Sequence, residues 1–247
     1  MLGIGNSISS SVYNQYGGVS GFSMSFDGTN DSIAFTQTTF AIENSGDLLS
    51  IAFWAKRTDN NDIATVLGNS GGGTKNIVKF DDDGDVLSIT SDKSSAQKAT
   101  GPVTVDTNWH HYVITNTGRE GNTSIVTMYE DGSAVTVSNS AYGVSNNFNF
   151  VIDRIGTDSA SDGSTEFKGL LYQVAIWNAV LDADAVSAVY NSGRPIDIQN
   201  DAGNYDNSGD LIHLWDFNEG TGSTAGDQVG SLDGTITNAT FSSTTPS

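Results

Sequence analysis

The sequence predicts an all-β protein, a sandwich or barrel of antiparallel strands, and three observations carry that prediction. Short runs of alternating apolar and polar residues recur along the chain, separated by clusters of Gly, Asp, Asn and Ser. Aspartate dominates the acids, with glutamate only at 43, 120, 130, 166 and 219, and there are 28 glycines. Asp and Gly belong to turns, whereas Glu favours helices. Only one stretch carries a helical pattern.

The elements follow in chain order. FSMSF places Phe22, Met24 and Phe26 on one face and serines on the other. SIAF, LSIAFWAK, NIVKF, VLSIT, HYVIT, SIVTMY, LLYQVAIW and LIHLWDF read as further strands. Asp-Gly pairs in DDDGD (81–85) and EDGS (130–133) signal hairpins, while SGGGTK, DSASDGST and DNSGD mark looser loops. The helix is expected in LDADAVSAVYNSGRP, near 182–192. Asp182 caps its start, Val186, Val189 and Tyr190 share a face, Gly193 fits a left-handed stop, and Pro195 prevents continuation. Residues 1–21, polar and rich in Gly and Ser, read as an N-terminal arm or anchor. No composition break divides 22–247, which is expected to form one domain.

Composition excludes several function classes. Ten basic against 29 acidic residues give a net charge of −19, a surface that repels nucleic acid. The same acidity suits salty water or attracts Ca²⁺. Without cysteine there is no disulfide, thiol nucleophile or Cys-ligated zinc. No apolar run reaches the ~18 residues that would span a bilayer, so membrane insertion is not expected. The start, MLGIGNSISSSVYNQYGG, has neither positive charge nor a long apolar run and does not read as a secretory signal. The N-x-S/T sequons at Asn30, Asn122 and Asn238 are accordingly read as chance matches.

Each reactive-looking motif has a structural alternative. In NWHHYVIT (108–115) two histidines stand side by side, but neighbours on a strand face opposite ways. Trp109, His111 and Val113 share one face, His110, Tyr112 and Ile114 the other, so the pair cannot chelate one ion. GNSGG (68–72) matches a nucleophile elbow, yet Ser70 is followed by two glycines and a strand rather than a helix, and no histidine precedes it. Asp81, Asp82, Asp83 and Asp85 look like a calcium loop, but EF-hand numbering would put Lys79 first and Thr90 twelfth, which is wrong. In FDGTND (26–31), Asp27, Asn30 and Asp31 offer hard oxygens at a spacing that suits Ca²⁺; the alternative is an Asx-turn hairpin.

FSMSFDGTNDSIAF, LSIAFWAKRT, NWHHYVIT, TMYEDGSAV and FKGLLYQVAIWNAVLDADAVSAVYNSG, in that order over residues 22–193, resemble a laminin-G-like, concanavalin A-like lectin/glucanase domain. The tail LIHLWDFNEGTGSTAGDQVGSLDGTI resembles a phrase that precedes the FDG strand in many relatives, so 211–241 is expected to fold back and complete the sheets. The resemblance implies a two-sheet antiparallel jelly-roll sandwich and does not by itself fix a function. Where relatives carry a pair of acids, this chain has Leu171, Tyr172 and Gln173, which weakens any cation site those acids serve. Family hydrolases align E-x-D-x-E acids on one strand; the scattered glutamates here, with Glu130 in a hairpin, argue against an enzyme.

The leading expectation is a non-enzymatic surface protein of a virion, a tailed bacteriophage, either decorating the capsid or forming part of a tail or fibre. The Gly/Ser-rich start resembles the N-termini of phage structural proteins. Residues 1–21 would hold capsid or tail subunits, and the chain would be made in the host cytoplasm and reach the outside by assembly and lysis. A homo-oligomer is compatible with this reading. Host-surface polysaccharide would be bound by loop-borne polar groups with an aromatic platform, in loops 57–63, 69–75 or 156–166; Tyr142 and Phe148 are equally read as core. The alternatives are a glycan-active enzyme or accessory carbohydrate-binding module on a bacterial surface, and a structural cement protein without ligand.

Overall fold

The computed structural model describes residues 21–42, 45–58, 63–70, 77–81, 85–90, 98–120, 123–138, 141–143, 149–158 and 165–247. Among these the strands are β1 Ser23–Asp27, β2 Ser32–Ala41, β3 Ser45–Arg57, β4 Ala64–Gly68, β5 Ile77–Asp81, β6 Val86–Thr90, β7 Lys98–Pro102, β8 Trp109–Glu120 and β9 Thr123–Glu130. They continue as β10 Ser133–Val135, β11 Ala141–Gly143, β12 Asn149–Ile155, β13 Lys168–Trp177, β14 Leu211–Trp215, β15 Thr224–Ala225, β16 Gly234–Thr237 and β17 Thr240–Ser242. One α-helix, α1 Ala183–Tyr190, lies between β13 and β14.

The strands form two antiparallel sheets. The first runs β10-β9-β8-β3-β13-β1-β17, with β11 also on β9 and β14 also on β13; the second runs β15-β16-β2-β12-β4-β5-β6-β7. The two last strands extend different sheets beside the first two: Phe241 of β17 lies opposite Met24 of β1, and Ile236 of β16 opposite Ile33 of β2. The arm 1–21 lies outside the described residues except for Gly21.

Alternation decides which side chains fill the space between the sheets. Met24 and Phe26, Ile51 and Phe53, Tyr112 and Ile114, and Val126 and Met128 face inward from the first sheet. Val78 and Phe80, Leu87 and Ile89, and Phe150 and Ile152 meet them from the second. Each large side chain removed from water contributes about 1.5–3 kcal/mol, so this layer is the main source of stability. Turn chemistry fixes the register of β9 and β10. Asp131 (φ 49) and Gly132 (φ 76) are both left-handed, the two-residue hairpin that an Asp-Gly pair favours, and Glu130 pairs with Ser133.

A second, smaller core lies on the outer face of the first sheet. Ala52, Val113, Ala175 and Trp177 point away from the sandwich and are covered by Leu181, Ala185, Val186, Val189, Ile196, Ile198 and Tyr205. The sequence reads as a helix here because Asp182 Oδ1 accepts from the Ala185 N–H at 2.8 Å, while Val186 and Val189 are buried. The helix stops earlier than Gly193: Asn191 (φ 45) is already left-handed, and Ser192 (φ 57) and Gly193 (φ 91) continue the reversal. Asn tolerates this conformation because its short polar side chain finds local partners; here Asn191 Nδ2 donates to Arg194 O at 3.2 Å. In β13 the register slips between Tyr172 and Ala175, and Gln173 sits there at φ 46. This bulge lets the Gln173 Nε2 donate to Ile196 O at 2.9 Å and tie down the segment after the helix.

Candidate functional site

Strand register brings several charged segments to one end of the sandwich. Asp27 pairs with Lys168, Gly169 with Arg57, Lys56 with Trp109, and Tyr112 with Glu130. Cross-links reinforce the row: Thr58 N–H donates to Lys168 O, and Arg57 Nη2 donates to Thr104 O at 2.8 Å. The Thr104 N–H in turn donates to Glu130 Oε1 at 2.9 Å. The turn 27–31 therefore shares an end with the 103–110 segment and the Asp131-Gly132 hairpin.

The adjacent histidines face opposite ways and hold opposite charge states. His110 Nδ1 lies 2.7 Å from Asp131 Oδ2 and its Nε2 3.0 Å from Asp106 Oδ1. The Asp131 carboxylate, opposed by partial burial and helped by Asp106, pushes this imidazole up to about 9. His110 is thus a charged clamp between the 103–108 segment and the hairpin. His111, on the outer face, is 2 % exposed. Burial, only partly offset by Asp131, pushes it down to about 3, so it is neutral at ordinary pH. Its ring lies 4.7 Å from Trp54 and 6.3 Å from Tyr190. The third histidine, His213, sits with Nδ1 2.6 Å from Asp227 Oδ2.

The turn Asp27–Asp31 is built by its own hydrogen bonds. Asp27 Oδ1 accepts from the Thr29 N–H at 2.7 Å, and Asp31 Oδ2 accepts from the Asp27 N–H at 2.5 Å. Gly28 (φ 80) and Asn30 (φ 55) supply the left-handed steps. Asn30 is tied elsewhere, since its backbone and side-chain oxygens both accept from Asn238 Nδ2. Asp31 is 3 % exposed, and its Oδ1 is buried without a hydrogen-bond partner. Burial and the neighbouring Asp27 raise its carboxyl above the ordinary value, against the lowering by the Asp27 N–H. An uncompensated carboxylate oxygen of this kind fits a hard cation such as Ca²⁺. The fit falls mainly on Asp31 and Asp27. No group of three or more His, Cys, Asp or Glu that could hold a metal occurs among the described residues.

Other sequence motifs resolve into supports. Ser70 N–H donates to Asp153 Oδ1 at 2.9 Å and its hydroxyl to Oδ2, so the Ser70 hydroxyl is held by a carboxylate rather than by an imidazole. Asp81 takes Lys98 and Lys79; burial would raise its carboxyl, but the two ammonium groups hold it below the ordinary value. Residues 59–62, 71–76, 82–84, 144–148 and 159–164 lie outside the described residues, as does the Tyr142 side chain, and with them most of the three loops expected to bind sugar. The candidate loop 156–166 contains Asp158 and Glu166, not singled out in the sequence, both buried, which converge on Thr165: Asp158 Oδ1 accepts from its hydroxyl and Glu166 Oε2 from its N–H at 3.1 Å. Glu166, one of five glutamates and followed directly by the buried Phe167, was the available signal.

Two packed antiparallel sheets with loop-borne polar clusters at one end define a lectin-type sandwich. The model of the Concanavalin A-like lectin/glucanases superfamily matches residues 27–187, and the chain belongs to that family. No curated protein matches the chain. Among solved structures it is similar to a provisionally assigned carbohydrate binding protein from Bacteroides ovatus ATCC 8483, at 16% identity and a TM-score of 0.62, over 92% of this chain and 61% of that one. The chain therefore spans about three fifths of that protein's length. It is also similar to the native heptameric SAP-like pentraxin from Limulus polyphemus, at 17% identity and a TM-score of 0.51, over 69% of this chain and 82% of that one. At these identities both likenesses speak to the fold.

Proposed function

We propose that this chain is a carbohydrate-binding module that acts without catalysis. The observation that carries the reading is membership in a lectin-type family combined with reactive side chains that are already committed. His110 is clamped by Asp106 and Asp131, His111 is buried and neutral, His213 is bonded to Asp227, and Ser70 is bonded to Asp153. The similar Bacteroides ovatus protein, assigned to carbohydrate binding, supports the same class. Calcium is part of the proposal: Asp31 Oδ1, with the Asp27 carboxylate, would hold it and so steady the 27–31 turn.

The setting proposed is the surface of a virus particle, a tailed bacteriophage, with 1–21 holding capsid or tail subunits; the support is the composition of that segment. Crosslinking of assembled particles tests it, and an arm without capsid or tail neighbours would end it. A glycan-active enzyme is the rival, and the convergence of Asp158 and Glu166 on Thr165 is the observation in its favour. Calorimetry with a panel of oligosaccharides, run beside a reducing-end assay on β-glucans and host polysaccharides, separates the two. Binding without turnover is expected. Turnover abolished by Glu166→Gln would overturn the non-catalytic reading. Silence across the panel, with particles that lose heat stability when the protein is missing, would favour a cement protein.

A further inference from the structure

Sugars bind proteins by laying the apolar face of a ring on an aromatic side chain while their hydroxyls meet polar groups around it. Among the described residues no Phe, Tyr or Trp is fully exposed; Phe22, Trp109, Tyr190 and Phe241 are half-buried. Phe22 closes against Gly220, and Phe241 packs on the main core. Trp109 and Tyr190 differ, because both belong to one aromatic strip on the helix-bearing face of the first sheet.

The strip follows from register. Trp109 and His111 lie two residues apart on the same face of β8, opposite Lys56 and Trp54 of β3. Tyr190, at the end of α1, stacks on Trp54 with ring centroids 5.8 Å apart and lies nearly parallel to His111 at 13°. Three ring nitrogens in this strip are buried without a hydrogen-bond partner: Trp54 Nε1, Trp109 Nε1 and His111 Nδ1. Trp54 and His111 are themselves only 1 % and 2 % exposed. Their nitrogens therefore lie beneath the strip, and Trp109 and Tyr190 are the rings of it that solvent reaches. Lys56, across the strand from Trp109, adds a polar group at the rim.

We propose, resting on the carbohydrate-binding reading above, that Trp109 with Tyr190 is a stacking platform for one neutral sugar residue, whose hydroxyls meet Lys56 at the rim. Charge selects the neutral class. The chain carries a net charge of −19, so an anionic sugar approaches against the repulsion of the molecule as a whole.

The molecule supplies its own reporter. Of its four tryptophans, Trp54, Trp177 and Trp215 are at most 1 % exposed, which leaves Trp109 as the indole that solvent reaches. Acrylamide quenching and calorimetry are measured with cellobiose, laminaribiose, lactose, chitobiose and, as the anionic control, sialyllactose. A neutral disaccharide is expected to bind and to protect the accessible indole. Trp109→Ala is expected to weaken binding about tenfold, Trp109→Phe to retain most of it, and Tyr190→Ser to weaken it with the fold intact by circular dichroism. A neutral sugar that binds Trp109→Ala and Tyr190→Ser with wild-type affinity, and leaves wild-type quenching unchanged, overturns the site and spares the carbohydrate reading. Binding of sialyllactose alone overturns the neutral class. No binding by any of the five overturns site and reading together.

Discussion

Asp227→Asn is expected to destabilise the protein by about 3–5 kcal/mol, and the reason is the number of donors that converge on one carboxylate. Oδ1 accepts from the Leu214 N–H at 3.0 Å and the Gly230 N–H at 2.9 Å, and Oδ2 from the Leu232 N–H at 3.0 Å, with His213 Nδ1 2.6 Å away. The side chain has no solvent access. Hydrogen bonds to a charged acceptor contribute about 1.5–3 kcal/mol each, and an amide of the same volume turns an NH₂ towards donors that need an acceptor. Part of the loss is recovered where Gly230 and Leu232 rehydrate, which brings the net value into the stated range. Urea unfolding followed by tryptophan fluorescence is the assay, since the Trp215 Nε1 donates to Leu232 O at 3.0 Å and reports on the same loop. A shift in midpoint with unchanged slope is expected. A loss below about 1 kcal/mol would refute the claim that this carboxylate pins the loop. The pH dependence gives a second check. Burial would raise the Asp227 carboxyl, but His213 and the N–H groups of Leu232, Gly230 and Leu214 outweigh it and hold it well below the usual range. A depressed acid stabilises above its unfolded value and loses that contribution as pH falls towards the folded one. Wild type should therefore lose stability below about pH 4, and Asp227→Asn should lose less there.

Proton NMR of the three histidines should show one ring titrating near pH 9, assigned to His110, and one that stays neutral until the pH falls to about 3, assigned to His111. Because His110 is raised, its contribution is complete below about pH 6.5 and disappears as pH rises through 9; a common midpoint for both rings would contradict the opposed faces of β8. Calcium is expected to raise the melting temperature of the wild type and not that of Asp31→Ala; equal shifts in both would remove Asp31 from the site. Gly156→Ala should cost at least about 2 kcal/mol, because Gly156 is at φ 90 and a Cβ there would lie 2.3 Å from the buried Phe26 ring. Unchanged thermal unfolding of that variant would mean the ring can move aside.

The main layer was legible because period-two alternation is a local signal. Tyr112 and Ile114 against His111 and Val113 could be sorted without coordinates, as could the Asp131-Gly132 reversal and the Asp182 cap. The second core was not legible. LLYQVAIW is apolar at nearly every position, which announces burial on both faces but not what covers the outer one. That cover comes from Leu181 to Tyr205, and its anchor, Gln173, works only because a bulge turns it through a left-handed step. At the candidate site, FDGTND declared a tight turn and a set of oxygens. That Asn30 is tied to Asn238 depends on a pairing more than 200 residues away in the chain. Asp227 is a different case, since the donors it takes, from residues 213, 214, 230 and 232, lie within 14 residues of it in the chain. Its neighbours in sequence are ordinary turn residues, and only folding aims so many donors at it.

The last strand lies against the first, and the Ser23 hydroxyl donates to Thr244 O at 2.8 Å. The two ends of the domain thus leave from a single seam. Residue 247 could be spliced to residue 22 and the chain reopened at the Asp131-Gly132 hairpin to give a circular permutant with the same layers. Inserted into a loop of a larger scaffold, the domain would need only a narrow stem and would keep both broad flanks clear of its carrier.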